Sequence, residues 1–361
     1  MKDDKLRKEC PVILIAFKEG GENGGPFTSH KRIVENINTK QYILKPFFFP
    51  RSRVLFSPKG LYKLIKRIKE ENAVAMHIVG LQLEGFVAMI VCKLAGIKIL
   101  LAIHGSEKEA SGRNKIRLFF MSIIEYLTIK NSDIVYGVSD YVCSWPVCRH
   151  SKKMIGTIYN LPSTEQNVNK MRKNIRTDLG IEKSDIVVVS TGRIVKDKGF
   201  DILFEVIKNF KNTDNISFVI AGEGDYREEM TKALEKTEMK DKVFLLGYRT
   251  DIDDILDSSD IFIMCSKHET LCISLQEAGM HGLPLIATDV GGIPEIVDES
   301  CGFLVENYNV QGFVSAINKL KDNTELRVMM GENAKKKMLS KFNSRDILSK
   351  LDMAYMELIK K

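Results

Sequence analysis

The sequence predicts an α/β protein of two Rossmann-like, doubly wound parallel-sheet domains, and three observations carry that reading. Short apolar runs without alternation, such as VILIAF at 12–17 and IFIM at 261–264, suit strands buried on both faces. Segments of helical periodicity separate such runs at the spacing of βαβ units. The alternation occurs twice, from Pro11 and again from Ile186, with the polar stretch Ser163 to Lys183 between them as linker and short lead-in helix. The domains are therefore expected at 1–165 and 166–342, followed by an amphipathic helix over about 343–361.

Composition narrows the class. The 361 residues, 44% hydrophobic and 28% charged, suffice for two ordinary globular domains. No apolar run reaches the ~18 residues needed to span a bilayer. The first residues, MKDDKLRKEC, lack the apolar centre of a signal peptide. Seven cysteines without a CxxC pair argue against a disulfide framework or zinc site, and for a reducing cytoplasm. The net charge of +7 is uneven: residues 1–165 hold 26 Lys+Arg against 15 Asp+Glu, a balance of +11, while the remainder balances at −4. A basic first half calls for an anionic partner of that half, such as an anionic membrane surface. The basic residues follow no recognisable nucleic-acid motif, so no nucleic acid is expected.

In chain order, the first strand leads into the glycine-rich loop Lys18 to Pro26 and a helix over Phe27 to Asn36. Gly24 and Gly25 suit either a plain turn or a close approach of backbone to ligand. Ser57 to Glu70 is a helix with Leu61, Leu64, Ile65 and Ile68 on one face and Lys59, Lys63, Lys66, Arg67 and Lys69 around the rest. That basic surface is either simply solvated or docks on anionic headgroups, helped by the apolar Pro46-Phe-Phe-Phe-Pro50 upstream. A strand over Ala73 to Val79, a helix over Glu84 to Ala95 and a strand over Ile97 to Ile103 end in His104-Gly105. His104 stands at a strand's carboxyl end, in a ligand crevice or as a turn residue. His77, inside an apolar strand, reads as a satisfied core residue. A helix over Lys115 to Ile129, a strand over Asp133 to Val138, a helix starting at Ser139 and a last segment, Met154 to Tyr159, complete the domain.

The second series opens with VVVSTGRIVKDKGFDILFEVI at 187–207: strand, loop, helix. Arg193 and Lys198 share the loop, and Gly199 opens the helix; a rigid guanidinium fork plus a flexible ammonium beside a helix start suits a pyrophosphate. Gly222-Glu-Gly224 ends the next strand and is too short for a dinucleotide fingerprint. The following strand ends in Gly247-Tyr248-Arg249. The acids of DIDDILD at 251–257 read as a helix's first turn rather than a metal site. Ser266 to Val297 is the richest stretch. Glu269 lies in the loop after strand 261–264, and Glu277 sits about one turn into a helix over Ser274 to Met280 that Gly282-Leu-Pro284 stops. The amides of Thr270, Leu271, Cys272 and Ile273 gather at that helix's start, a ready anion site. Open parallel sheets bind ligands outside the carboxyl ends of their strands. An anion held by amides, with two carboxylates facing hydroxyl groups, describes a sugar nucleotide.

Glu269 and Glu277, with seven residues between them, are followed by Ala278, Gly282, Pro284 and Leu285-Ile-Ala-Thr-Asp-Val-Gly-Gly-Ile-Pro-Glu295. This string resembles the signature of the retaining glycosyltransferases of family 4 (glycosyl transferases group 1), which have the GT-B fold. Gly192, Arg193, Lys198 and Gly199 match the family's G-R-x-x-x-x-K-G. The resemblance implies two Rossmann-like domains facing across a cleft, with the last helix packing back on the first, acceptor-binding domain. It implies metal-independent transfer, with retention, of a hexose from a UDP- or GDP-sugar to a glycan or lipid-linked glycan acceptor. Cell-surface polysaccharide synthesis in the cytoplasm, or on the inner face of the membrane, fits that chemistry. Arg193 and Lys198 would stabilise the leaving diphosphate, Glu269 would hold the donor sugar, and Glu277 would accept from the ribose. Gly222, Tyr248 and Arg249 would border the nucleotide, Gly24 and Gly25 the phosphates and acceptor, and His104 the donor sugar or acceptor. The family usually has glycine where this chain has Thr270 and Cys272, whose Cβ atoms narrow the donor-sugar pocket. A sugar-nucleotide isomerase, a phosphorylase-like enzyme and a non-catalytic sugar-nucleotide binder stay open as alternatives.

Overall fold

The computed structural model describes residues 10–19, 25–50, 57–107, 114–162 and 173–360. The chain divides into two compact units, Met1–Thr164 with Ser344–Lys361, and Glu165–Asn343.

In the first unit, strands β1 (Val12–Lys18), β2 (Ile43–Phe49), β3 (Ala73–Val79), β4 (Lys98–Ile103), β5 (Ile134–Gly137) and β6 (Met154–Thr157) form a parallel sheet of order β2-β1-β3-β4-β5-β6. Its helices are α1 (Gly25–Asn36), α2 (Pro58–Glu70), α3 (Leu83–Ala95), α4 (Lys115–Asn131), and the short α5 (Asp140–Cys143) and α6 (Pro146–Arg149). As right-handed crossovers require, α2, α3 and α4 follow one another in a single layer, α2 packing on α3 and α3 on α4. Ser57 caps α2 by accepting from the Gly60 amide, and Leu64 and Ile68 bury its apolar side.

The second unit holds α7 (Ile175–Asp178), β7 (Ile186–Thr191), α8 (Phe200–Ile207), β8 (Ile216–Ala221), α9 (Arg227–Leu234), β9 (Val243–Gly247), α10 (Ile252–Asp257), β10 (Ile261–Met264), α11 (Ile273–Met280), β11 (Leu285–Thr288), β12 (Gly302–Val305), α12 (Val310–Asp322) and α13 (Thr324–Lys341). Its parallel strands run β12-β11-β10-β7-β8-β9. The order reverses between β7 and β10, the switch point where such sheets receive ligands. Phe200, Phe218, Ile263 and Phe313 centre its core. The last helix, α14 (Ser344–Lys360), lies against β3 and β4 of the first unit and buries Leu351, Tyr355 and Leu358.

Two segments differ from expectation. Pro46 to Phe49, part of the apolar stretch expected to help α2 dock, belong to β2, which pairs with β1 from Ile43 through Phe49. Phe47 and Phe49 are buried and Phe48 alone of the three is exposed, so this run is a strand rather than a docking loop. Proline hides such a strand in the sequence, yet an edge strand tolerates it because one side of its backbone pairs with nothing. In the sequence, the acids and lysine of α9 mask the two residues it buries, Met230 and Leu234.

Candidate functional site

In the second unit, three loops converge at the carboxyl ends of β7, β8 and β10. Gly199 has φ +70, and a Cβ there would lie 1.7 Å from the Cys265 carbonyl oxygen, so only glycine lets the start of α8 press on the end of β10. Gly222 serves the same end: a Cβ would meet the Gly192 carbonyl at 1.7 Å. The Lys267 amide donates to the Asp197 carbonyl at 3.1 Å, and its ammonium reaches Asp201 at 2.6 Å.

This contact joins residues far apart in the chain. Lys198 Nζ donates to Glu269 Oε1 at 2.6 Å, and Ser266 Oγ donates to the same oxygen at 3.1 Å. The Glu269 backbone is fixed from behind, its carbonyl accepting from the Gly292 amide at 3.0 Å, which gives the glycine pair after β11 its local purpose. Burial alone would push the Lys198 ammonium down. The charge and hydrogen bond of Glu269 outweigh that, and the group is held above its ordinary value. Both side chains are largely buried, at 24% and 10% exposure, so the pair interacts more strongly than a surface ion pair. Arg193 sits exposed in the same loop, close enough for its charge to act on Lys198.

Beside this pair α11 begins. No side chain caps it. Among the described residues, the amides of Leu271, Cys272 and Ile273 find no backbone acceptor. Cys272 occupies the N-cap position, and burial, then the Glu269 charge, pushes its thiol up. Glu277 lies half-buried one turn into the helix, and Thr270 is half-buried before it. At the end of β9, the Gly247 carbonyl accepts from the Gly222 amide at 2.8 Å, so that amide is committed to the fold. Tyr248 is 67% exposed, while Arg249 Nε donates to Asp251 at 2.7 Å and holds that carboxyl below its usual range. Asp253 instead faces His281, so the two acids of the D-x-D serve different partners.

The first unit places His104 at the carboxyl end of β4, on a cavity of about 310 Å³. Phe17, Pro26, Phe27, Gln82 and Gly105 also line it, with Lys18 and Glu84 paired at 2.7 Å. Burial, then the neighbouring His30, pushes His104 down to about 3, so it is neutral near pH 7. Gly25 starts α1; Gly24 lies outside the described residues. His77 is fully buried, as its place in an apolar strand predicts, and is bonded to the hydroxyls of Tyr355 at 2.7 Å and Tyr136 at 3.0 Å. Its ring lies 4.3 Å from that of His30. His30 Nδ1 meets the Ala16 carbonyl at 3.0 Å, and burial pushes the imidazole down to about 4. Nothing in the sequence groups His30, Tyr136 and Tyr355, because α1, β5 and α14 lie far apart in the chain and come together around His77 through folding.

Residues 171–337 match the family model described as Glycosyl transferases group 1. With the two parallel sheets, this match supports a glycosyltransferase of GT-B architecture that uses a nucleotide-sugar donor. The chain is 26% identical over 313 residues to the UDP-Gal:alpha-D-GlcNAc-diphosphoundecaprenol alpha-1,3-galactosyltransferase of Escherichia coli, covering 83% of this chain and 80% of that protein. It is 24% identical to the N-acetyl-alpha-D-glucosaminyl L-malate synthase of Bacillus anthracis, over 82% and 78% of the two chains. Among solved structures, it is similar to HepE of Anabaena in complex with UDP, at TM-score 0.74 and 17% identity over 96% of this chain and all of that one. It is also similar to sucrose-phosphate synthase of Thermosynechococcus elongatus, at TM-score 0.80 and 15% identity over 97% and 99%.

Proposed function

We propose that the chain transfers a hexose, with retention and without a metal, from a UDP- or GDP-sugar to a glycan or lipid-linked glycan acceptor in cell-surface polysaccharide synthesis. The observation that carries this is the Lys198–Glu269 pair set against the uncapped start of α11, with the exposed Arg193 guanidinium in the same loop. A diphosphate entering there competes with Glu269 for the Lys198 ammonium. Arg193, Lys198 and the amides of Leu271, Cys272 and Ile273 then stabilise the charge that grows on the leaving group. Glu269, released from Lys198, accepts from the donor-sugar hydroxyls and favours the positive charge of the opening ring. Glu277 accepts from the ribose. The leaving phosphate takes the acceptor's proton, so no side-chain base is required. His104, neutral near pH 7, acts as a hydrogen-bonding group on donor sugar or acceptor. The Escherichia coli relative, named for transfer onto a sugar diphosphoundecaprenol, supports an acceptor of lipid-linked type.

The test is incubation with UDP- and GDP-hexoses and a lipid-linked sugar diphosphate, with the anomeric proton coupling of the product read by NMR. An α-linked product from an α-configured donor is expected. A β-linked product would remove retention. A rearranged sugar formed without acceptor would favour an isomerase.

A further inference from the structure

Helix α4 is apolar on both sides: it buries Met121 and Ile129, yet keeps a second apolar stripe in solvent. Its one acid, Glu125, is 1% exposed and bonded to Ser106, and Thr128 is also buried on the core side. On the solvent side, Ile116, Phe119, Phe120, Ile123 and Tyr126 stand 66%, 64%, 59%, 42% and 54% exposed. Their spacing of i, i+3, i+4, i+7 and i+10 makes one continuous stripe along the helix. No acid of α4 itself shares that exposed face, although Glu107 of the preceding loop pairs with Arg117 at 3.0 Å. Lys115 and Arg117 stand at one end and Lys130 at the other, the Lys130 ammonium 5.6 Å from the Tyr126 ring centroid. In the same helix layer, α2 exposes Lys59, Lys63, Lys66, Arg67 and Lys69.

We propose that the α4 stripe seats in a lipid bilayer carrying anionic headgroups, with its apolar side chains entering the interface and the flanking cations meeting phosphate. Charge decides the occupant. Lys115 and Lys130 bracket the stripe, α2 one helix further along the same layer is cationic, and residues 1–165 carry the balance of +11 counted from the sequence. Area argues the same way. A stripe on a 17-residue helix is about 25 Å long, and at roughly 10 Å wide it offers about 250 Å², well short of the ~800 Å² per partner of a stable dimer. A bilayer sets no such minimum, since each inserted aromatic gains by itself. The docking element is thus α4 rather than Pro46 to Pro50, which lies within the sheet and its edge.

The experiment is flotation of the full chain with phosphatidylcholine vesicles, with and without phosphatidylglycerol, at low and high salt. Wild type and the double substitution Phe119→Ser with Phe120→Ser are compared, and circular dichroism confirms the fold of both. Wild type is expected to float with the anionic vesicles. The double variant should lose about a hundredfold in partition, and salt should weaken binding without abolishing it. Equal flotation of wild type and variant would overturn the proposal, as would no flotation of wild type. A dimer in lipid-free sedimentation that the double variant dissolves, without vesicle binding, would assign the stripe to a second copy instead. No sugar donor enters the test, so its outcome is separate from that of the sugar-transfer reading.

Discussion

The two units end their strands in opposite chemistry. At the carboxyl ends of β7 and β10, charge is kept: Lys198 and Glu269 neutralise each other across 2.6 Å, and the exposed Arg193 shares the loop. Behind the ends of β1, β3 and β4, charge is excluded: His30, His77 and His104 are pushed below the ordinary histidine range chiefly by burial, and tyrosine hydroxyls satisfy His77. The same architecture thus supports an ionic grip in one unit and, in the other, a neutral histidine cluster buried behind a cavity where Lys18 and Glu84 are paired.

The largest effect is expected in the ionic unit. Arg193→Ala should lower turnover by about 100- to 1,000-fold with the fold intact, the scale of one lost electrostatic donor. Steady-state rates with the best donor measure this, and an unchanged rate would separate Arg193 from the chemistry. Next comes acid sensitivity of the first unit. A histidine whose folded pKa lies below its unfolded value binds fewer protons when folded, so stability rises with pH and is lost as pH falls. For His30, moved from 6.5 to about 4, the loss begins near pH 6.5 and grows to pH 4; at 1.36 kcal/mol per unit it reaches on the order of 3 kcal/mol. Hydrogen exchange from pH 7 to 4 should show β1, β3 and α1 losing protection before β7 and β10. Simultaneous loss in both units would erase the contrast.

Smaller changes sharpen it. Tyr355→Phe removes the partner of His77 Nδ1 and should cost about 1–3 kcal/mol in a melting experiment, with donor affinity unchanged. Cys272→Gly should cost about 1–2 kcal/mol of stability, because it empties buried volume, and alter the preference between donor hexoses by roughly tenfold, because that volume lies beside Glu269. A preference identical to wild type would place the sugar away from this helix start.

The ionic unit was the more legible of the two. Arg193, Lys198, Glu269 and Glu277 stand on loops and helix starts whose positions follow from short-range spacing, and β7, α8, β10 and α11 fall within one or two residues of where apolar runs and glycines place them. The pairing of Lys198 with Glu269 was not visible, since they are 71 residues apart and meet only through the close approach of Gly199 to Cys265. The first unit hid more. His77 was readable as a core residue from its strand, but its partner Tyr355 lies 278 residues away on the returning helix. The exposed stripe of α4 is hidden for a related reason: a helix with apolar residues on both sides and a single acid shows no outer face until packing decides which side is buried.

The central claim is that the loops after β7 and β10 grip a diphosphate. Calorimetric titration of UDP and GDP against uridine and guanosine tests it most directly, with Lys198→Met as the comparison. One of the diphosphates should bind at least about tenfold more tightly than its nucleoside, and Lys198→Met should remove that advantage. If neither diphosphate binds more tightly than its nucleoside, or if the advantage survives in Lys198→Met, the grip lies elsewhere and the account is contradicted.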